Sequence, residues 1–157
     1  LRTDDLSVVA TDHCPFCDAE KLLGAEDFRD TPNGLGVIEH RMDLLYQGVL
    51  TGEITLQRWV ELCSTTPARL FGLQGRKGII APGADADIVI FNPKTEHVLG
   101  ASTHHMSIDY SVWEGIKVQG QSESVISRGS FVIQDRNFVG KPGHGEFLKR
   151  SLPEPLR

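Results

Sequence analysis

The chain has 157 residues, 39% hydrophobic and 24% charged, ordinary values for a soluble globular protein. A net charge of -5 with no long run of Lys and Arg argues against a general nucleic-acid binder, and apolar runs such as Ile88 to Phe91 are far too short to cross a bilayer. Three cysteines fit a reducing, cytoplasmic setting better than a disulfide scaffold, and no leader-like segment is read at the start.

Leu6-Ser7-Val8-Val9-Ala10 predicts a short buried strand, ended by Thr11-Asp12-His13-Cys14-Pro15-Phe16, where Pro15 has no backbone donor. Cys17 to Asn33 reads as a long loop with a short helix around Ala19 to Leu23, and Pro32-Asn33-Gly34 marks a turn. The helical spacing of Ile38, Met42, Leu45 and Val49 predicts a helix over 37–49. A second helix is predicted over 56–63 with Thr55 as N-cap. A short third runs over 67–71, with Pro67 in its first turn and Gly72 as its αL stop.

After Gly75 the pattern becomes all-β. Strands are predicted over 78–80, 86–91, 116–118, 124–127 and 131–134, with turns at Pro82-Gly83, Asn92-Pro93 and Arg128-Gly129-Ser130. Residues 140–157 are rich in Gly, Pro and basic residues and read as a tail or an arm for another chain. This order makes sense as α/β: the end of a (β/α)8 TIM barrel over 1–75, the second half of a β-sandwich over 76–139, and an extended tail. Such a barrel needs about 250 residues, so most of it would lie before Leu1.

Asp12 directly follows a hydrophobic strand. At the C-terminal end of a barrel strand it would face an active site, where a carboxylate can bind a divalent metal and accept a proton from metal-activated water. From spacing alone the bland alternative, an Asp that merely caps a turn, is the commoner case. Its neighbour His13 points the other way on an extended chain and reads as a hydrogen-bonded structural histidine, and His104-His105 is a poor metal clamp for the same reason. Cys14-Pro15-Phe16-Cys17 has C-x-x-C spacing, but Cys63 alone supplies no second ligand pair. A thiol or zinc module is therefore disfavoured against Cys14 as a small apolar lining residue.

Thr11-Asp12-His13-Cys14-Pro15-Phe16 resembles the end of the eighth barrel strand in hydantoinases and dihydropyrimidinases of the amidohydrolase superfamily. Pro32-Asn33-Gly34 with Ile38-Glu39-His40-Arg41 is similar to the family's substrate loop and following helix. Lys77-Gly78 through Pro82-Gly83-Ala84-Asp85-Ala86-Asp87 resembles the superfamily's return to its sandwich. His104-His105-Met106, Asp109-Tyr110, Glu114-Gly115 and Gly140-Lys141-Pro142-Gly143 narrow the resemblance to hydantoinases.

The resemblance implies hydrolysis of the ring amide of hydantoins or dihydropyrimidines to N-carbamoyl amino acids. Asp12 would be metal ligand and proton shuttle, Asn33 would contact the cyclic amide through its backbone, and Cys14 would line the pocket for the ring substituent. It also implies two zinc ions bridged by a carboxylated lysine with no counterpart in this chain. The small cyclic ureide would be the substrate, in a homo-oligomer, dimer or tetramer. The chain is then expected to be a C-terminal part, inactive alone. The alternative is an oligomerisation or interaction module without chemistry of its own.

Overall fold

The computed structural model describes residues 1–153. In chain order it contains α1 (Asp18–Lys21), α2 (Arg41–Leu50), α3 (Leu56–Val60) and α4 (Thr66–Leu70), then β1 (Ile88–Val98), β2 (Lys117–Ser127), β3 (Ser130–Gln134) and β4 (Asn137–Phe138). The strands form one antiparallel meander in the order β1-β2-β3-β4. The protein is thus α/β with a small antiparallel sheet.

The helices begin and end where local chemistry directs. Thr55 accepts a hydrogen bond from the Arg58 N–H at 3.0 Å and starts α3. The second and third predicted helices are continuous, because Glu61–Thr65 forms a π-helical turn between α3 and α4. Gly72, at φ +67°, then ends the run. At its missing Cβ sits the Ser151 carbonyl oxygen, 2.0 Å from where that carbon would be, and the Ser151 N–H donates to Gly72 O at 2.8 Å. This pins the described end of the tail to the helices.

The core joins the helices to the sheet. Tyr46, Ile54, Trp59 and Leu62 form a buried cluster, with Leu1, Met42 and Phe91 packed against it. Tyr46, Trp59 and Phe91 meet edge-on at centroid distances of 4.8–5.3 Å. Such pairs add about 0.5–1.5 kcal/mol beyond area burial. Tyr46 can pack against β2 only because Gly120 has no side chain: a Cβ there would be 2.5 Å from Tyr46 Cδ1.

Asn92-Pro93, predicted as a turn, instead lies inside β1. Asn92 pairs with Gln121 and Glu96 with Gln119, so 93–95 bulge opposite Gly120. A bulge tolerates Pro93, which has no N–H to offer a ladder. The Gln47 side chain serves the loosened edge: its Nε2 donates to Gln119 O at 2.9 Å and its Oε1 accepts from Gln119 N at 3.2 Å. The predicted strands over 116–118 and 124–127 are two ends of β2. Both remaining hairpin turns are two residues long with positive φ throughout, Arg128-Gly129 and Asp135-Arg136, the twist-matched geometry of type I′ turns.

Two predicted strands are corrected. Residues 6–10 belong to no strand, and Leu6 lies in a bend and is 64% exposed. A strand needs a hydrogen-bonding neighbour, and here arginines take that place: Arg58 Nη2 donates to Leu6 O at 3.0 Å and Arg41 Nη1 to Val9 O at 3.2 Å. Residues 78–80 are likewise not a strand. The Lys77 ammonium binds the Asp85 carboxylate at 2.8 Å and also Asp87, so the segment closes as a loop.

Candidate functional site

Asp12 stands just before the close contact between Cys14 and Gly34. Its φ of +46° is in the left-handed region, which few residues other than Gly accept and Asp tolerates better than most. The residue is exposed, and no hydrogen bond or ion pair engages its carboxylate among the described residues. It therefore does not cap a turn with its side chain. Strained, locally unused polar residues of this kind gather at functional sites.

His13 explains how Asp12 is held. Its Nδ1 accepts from the N–H of Val37 at 3.1 Å and of Ile38 at 3.3 Å. With both hydrogen bonds accepted at Nδ1, the ring proton sits on Nε2. The expected structural histidine is thus a clamp across 24 residues of chain. Beside it, the Cys14 N–H donates to Leu35 O at 2.9 Å, and His13 and Leu35 form a parallel bridge.

Cys14 and the Pro32-Asn33-Gly34 turn are in direct contact. A Cβ on Gly34 would lie 2.6 Å from Cys14 Cβ, 2.8 Å from its Sγ and 3.7 Å from the Asp12 carbonyl oxygen. The segment carrying Asp12 and the loop carrying Asn33 therefore share one surface. Cys17 does not join Cys14 in a disulfide: both are free thiols. Cys17 instead begins α1, where Glu20 Oε2 accepts from its N–H at 2.7 Å.

The remaining histidines hold other parts together. His105 Nδ1 lies 2.8 Å from Glu39 Oε1, and its N–H donates to Glu39 Oε2 at 2.6 Å. His104 Nδ1 accepts from Met106 N at 3.1 Å while Nε2 faces Tyr110 O at 3.3 Å, joining one loop to itself. His97 Nε2 lies 3.3 Å from the Asp43 carboxylate. Burial, with repulsion from Glu39 second, pushes the Asp43 carboxyl up to about 7. Burial, aided by Arg136, pushes His97 down. Burial thus disfavours the charged form of both partners, so this close approach is weaker than an exposed ion pair of the same length would suggest.

Two residues that hold this region, Lys21 and Arg41, carry no signal in the sequence. Their partners are backbone carbonyls, and any residue type offers one. Among the described residues no three His, Cys, Asp or Glu side chains come together in a group that could hold a metal ion. A catalytic zinc site takes about three protein ligands. The described residues of this chain do not group into such a centre.

With this geometry in place, the class of protein follows. The chain belongs to the amidohydrolase family, whose model matches residues 2–132. Within that family its similarity is to D-hydantoinases and dihydropyrimidinases. It is 53% identical over 157 residues to a D-hydantoinase of Streptomyces coelicolor, covering 99% of this chain and 34% of the relative. Among solved structures, D-hydantoinase from Bacillus sp. AR9 superposes with a TM-score of 0.96 at 47% identity, covering 99% of this chain and 34% of that one. The dihydropyrimidinase from Brevibacillus agri NCHU1002 gives 0.96 at 44% identity, with the same coverage. The chain spans about a third of the length of these relatives.

Proposed function

We propose that this chain supplies part of the active site of a metal-dependent cyclic amidohydrolase. That enzyme would open the ring amide of hydantoins or dihydropyrimidines to N-carbamoyl amino acids. The observation that carries the reading is the contact of Cys14 with Gly34, which brings the backbone of Asp12, a residue with a left-handed conformation and an unpartnered carboxylate, next to the loop of Asn33. The similarity to D-hydantoinases and dihydropyrimidinases supports the same chemistry.

In this reading Asp12 is a metal ligand and the proton carrier. Its carboxylate takes a proton from the attacking water and releases it to the ring nitrogen as the C–N bond breaks. Asn33 holds the cyclic amide through its backbone, and Cys14 lines the wall beside the ring substituent. A divalent metal in such a site supplies Lewis-acid polarisation of the ring carbonyl. The two zinc ions and the bridging carboxylated lysine would draw on residues outside this chain. Residues 1–75 then form the end of a (β/α)8 barrel and 76–139 half of a β-sandwich.

Replacing Asp12 with Asn in the full-length enzyme tests this. Turnover of hydantoin should fall by at least about a hundredfold, the usual contribution of a positioned acid–base group. Turnover near the wild-type rate would remove the reading.

A second reading is favoured by one observation. The tail exposes Phe147 at 94% and Leu152 at 86%, side chains that seek cover. The chain would then also contribute to assembly of a dimer or tetramer. Deleting residues after Gly140 and measuring the mass by light scattering decides it, because an unchanged oligomer excludes the tail as an assembly arm.

A further inference from the structure

Lys21 closes the short helix α1 and reaches across the loop to the turn that carries Asn33. Its ammonium donates to Gly34 O at 2.6 Å and to Pro32 O, and it lies 5.2 Å from the centroid of the Phe16 ring. An ammonium has three N–H donors. Two are spent on the carbonyls one residue before and one residue after Asn33, while the cation is also held over an aromatic face.

This arrangement has a directional consequence. All peptide bonds here are trans, so each C=O is antiparallel to the N–H of the next residue. Holding Pro32 O toward Lys21 turns the Asn33 N–H away from it. The next carbonyl but two, Leu35 O, is taken by the Cys14 N–H. The peptide units around the turn are thus tied down by Lys21 and Cys14. Among the described residues the N–H and C=O of Asn33 have no hydrogen-bond partner. Asn33 is an exposed residue whose backbone donor and acceptor are both unpaired, and these are the groups that complement the C=O and N–H of a cyclic amide.

We propose that Lys21 is a positioning residue for substrate recognition: by holding the carbonyls of Pro32 and Gly34 it aims the free N–H and C=O of Asn33 at the cyclic amide. This rests on the hydantoinase-type reading of Asn33. Lys21 touches no reacting atom. The contact it organises exists in the ground state and the transition state alike, so its loss weakens binding uniformly and leaves the chemical step intact.

The test uses the full-length enzyme with hydantoin as substrate and compares Lys21→Met, Lys21→Arg and Asp12→Asn. Lys21→Met is expected to raise KM about tenfold, as for loss of one charge-assisted positioning interaction, with kcat within about twofold of wild type. Lys21→Arg, which keeps donors for both carbonyls, is expected to recover most of that KM. An unchanged KM in Lys21→Met, or a fall in kcat at constant KM, overturns the proposal. Should Lys21→Met not fold, Lys21→Gln carries the same criterion, because its uncharged amide reaches one carbonyl at most. Wild-type enzyme without hydantoin hydrolysis, or Asp12→Asn with full turnover, removes the underlying reading instead, so the two failures are distinct.

Discussion

Cys14 and Gly34 touch so closely that no side chain fits between them. Gly34 has φ +92°, and a Cβ there would sit 2.6 Å from Cys14 Cβ. Both the backbone conformation and the contact demand glycine at this joint. Gly34→Ala is expected to destabilise the protein by roughly 1–3 kcal/mol, through strain and overpacking together. Chemical denaturation measures it. Adding Cys14→Ala should restore little, because the Cβ of residue 14 remains. Full recovery in the double variant would show that the Sγ alone sets the constraint.

The His13 clamp makes a separable prediction. His13→Leu removes the acceptor of the Val37 and Ile38 N–H groups, at a cost of about 0.5–1.5 kcal/mol because water can reach the exposed Ile38. His13→Asn places an amide oxygen near the position of Nδ1 and should recover much of that loss. Amide hydrogen exchange at Val37 and Ile38 reports it directly: exchange should quicken in the Leu variant and slow again in the Asn variant. Equal protection in both would mean that the ring fills space rather than accepting hydrogen bonds.

Asp43 should leave a signature in the pH dependence of stability. Its carboxyl is pushed up to about 7 in the folded chain from an ordinary value of 3.8, with burial the larger cause and Glu39 the smaller. Between those limits the folded state holds a proton that the unfolded state has lost. The stability it contributes is complete below about pH 4, falls as pH rises toward 7, and is gone above. His97 works against this at the acid side, because its lowered pKa keeps it neutral when folded while the unfolded ring charges. Asp43→Asn keeps a polar group of the same shape beside His97 and removes the titration. Denaturation midpoints from pH 4 to 7.5 should therefore decline with pH more steeply in wild type than in the variant. Parallel curves would exclude a raised Asp43.

How far the sequence could be read depended on whether a feature was local. Thr55 and Gly72 bound their helices by contacts within a few residues, so their roles were legible. The strand expected at Leu6 to Ala10 was not realised. Apolar patterning records a propensity to pair but not the presence of a neighbour, and Arg41 and Arg58 satisfy those carbonyls from far along the chain. Asn92-Pro93 has turn chemistry but lies in a strand, because the register shifts between Asn92 and Glu96 and leaves 93–95 outside the ladder, where Pro93 forfeits no hydrogen bond. Of the candidate site, Asp12, Cys14 and Asn33 were marked by motif, whereas Lys21 was invisible because what it binds is backbone.

The sequence by itself determined the order of the parts: an extended segment ending in Asp12, a charged loop ending at Pro32-Asn33-Gly34, helices, then antiparallel strands. Periodicity, caps and turn residues encode these over a few positions each. Only the tertiary structure decided that Asp12 adopts a left-handed conformation with a free carboxylate, and that Gly34 lies on Cys14. It also decided that His13 and Lys21 brace the joint from two sides. Those relations join residues 11 to 25 positions apart, and the braces of His13 and Lys21 end on backbone atoms that every residue possesses. No pattern of side-chain types could announce them, and they exist only once the chain is folded.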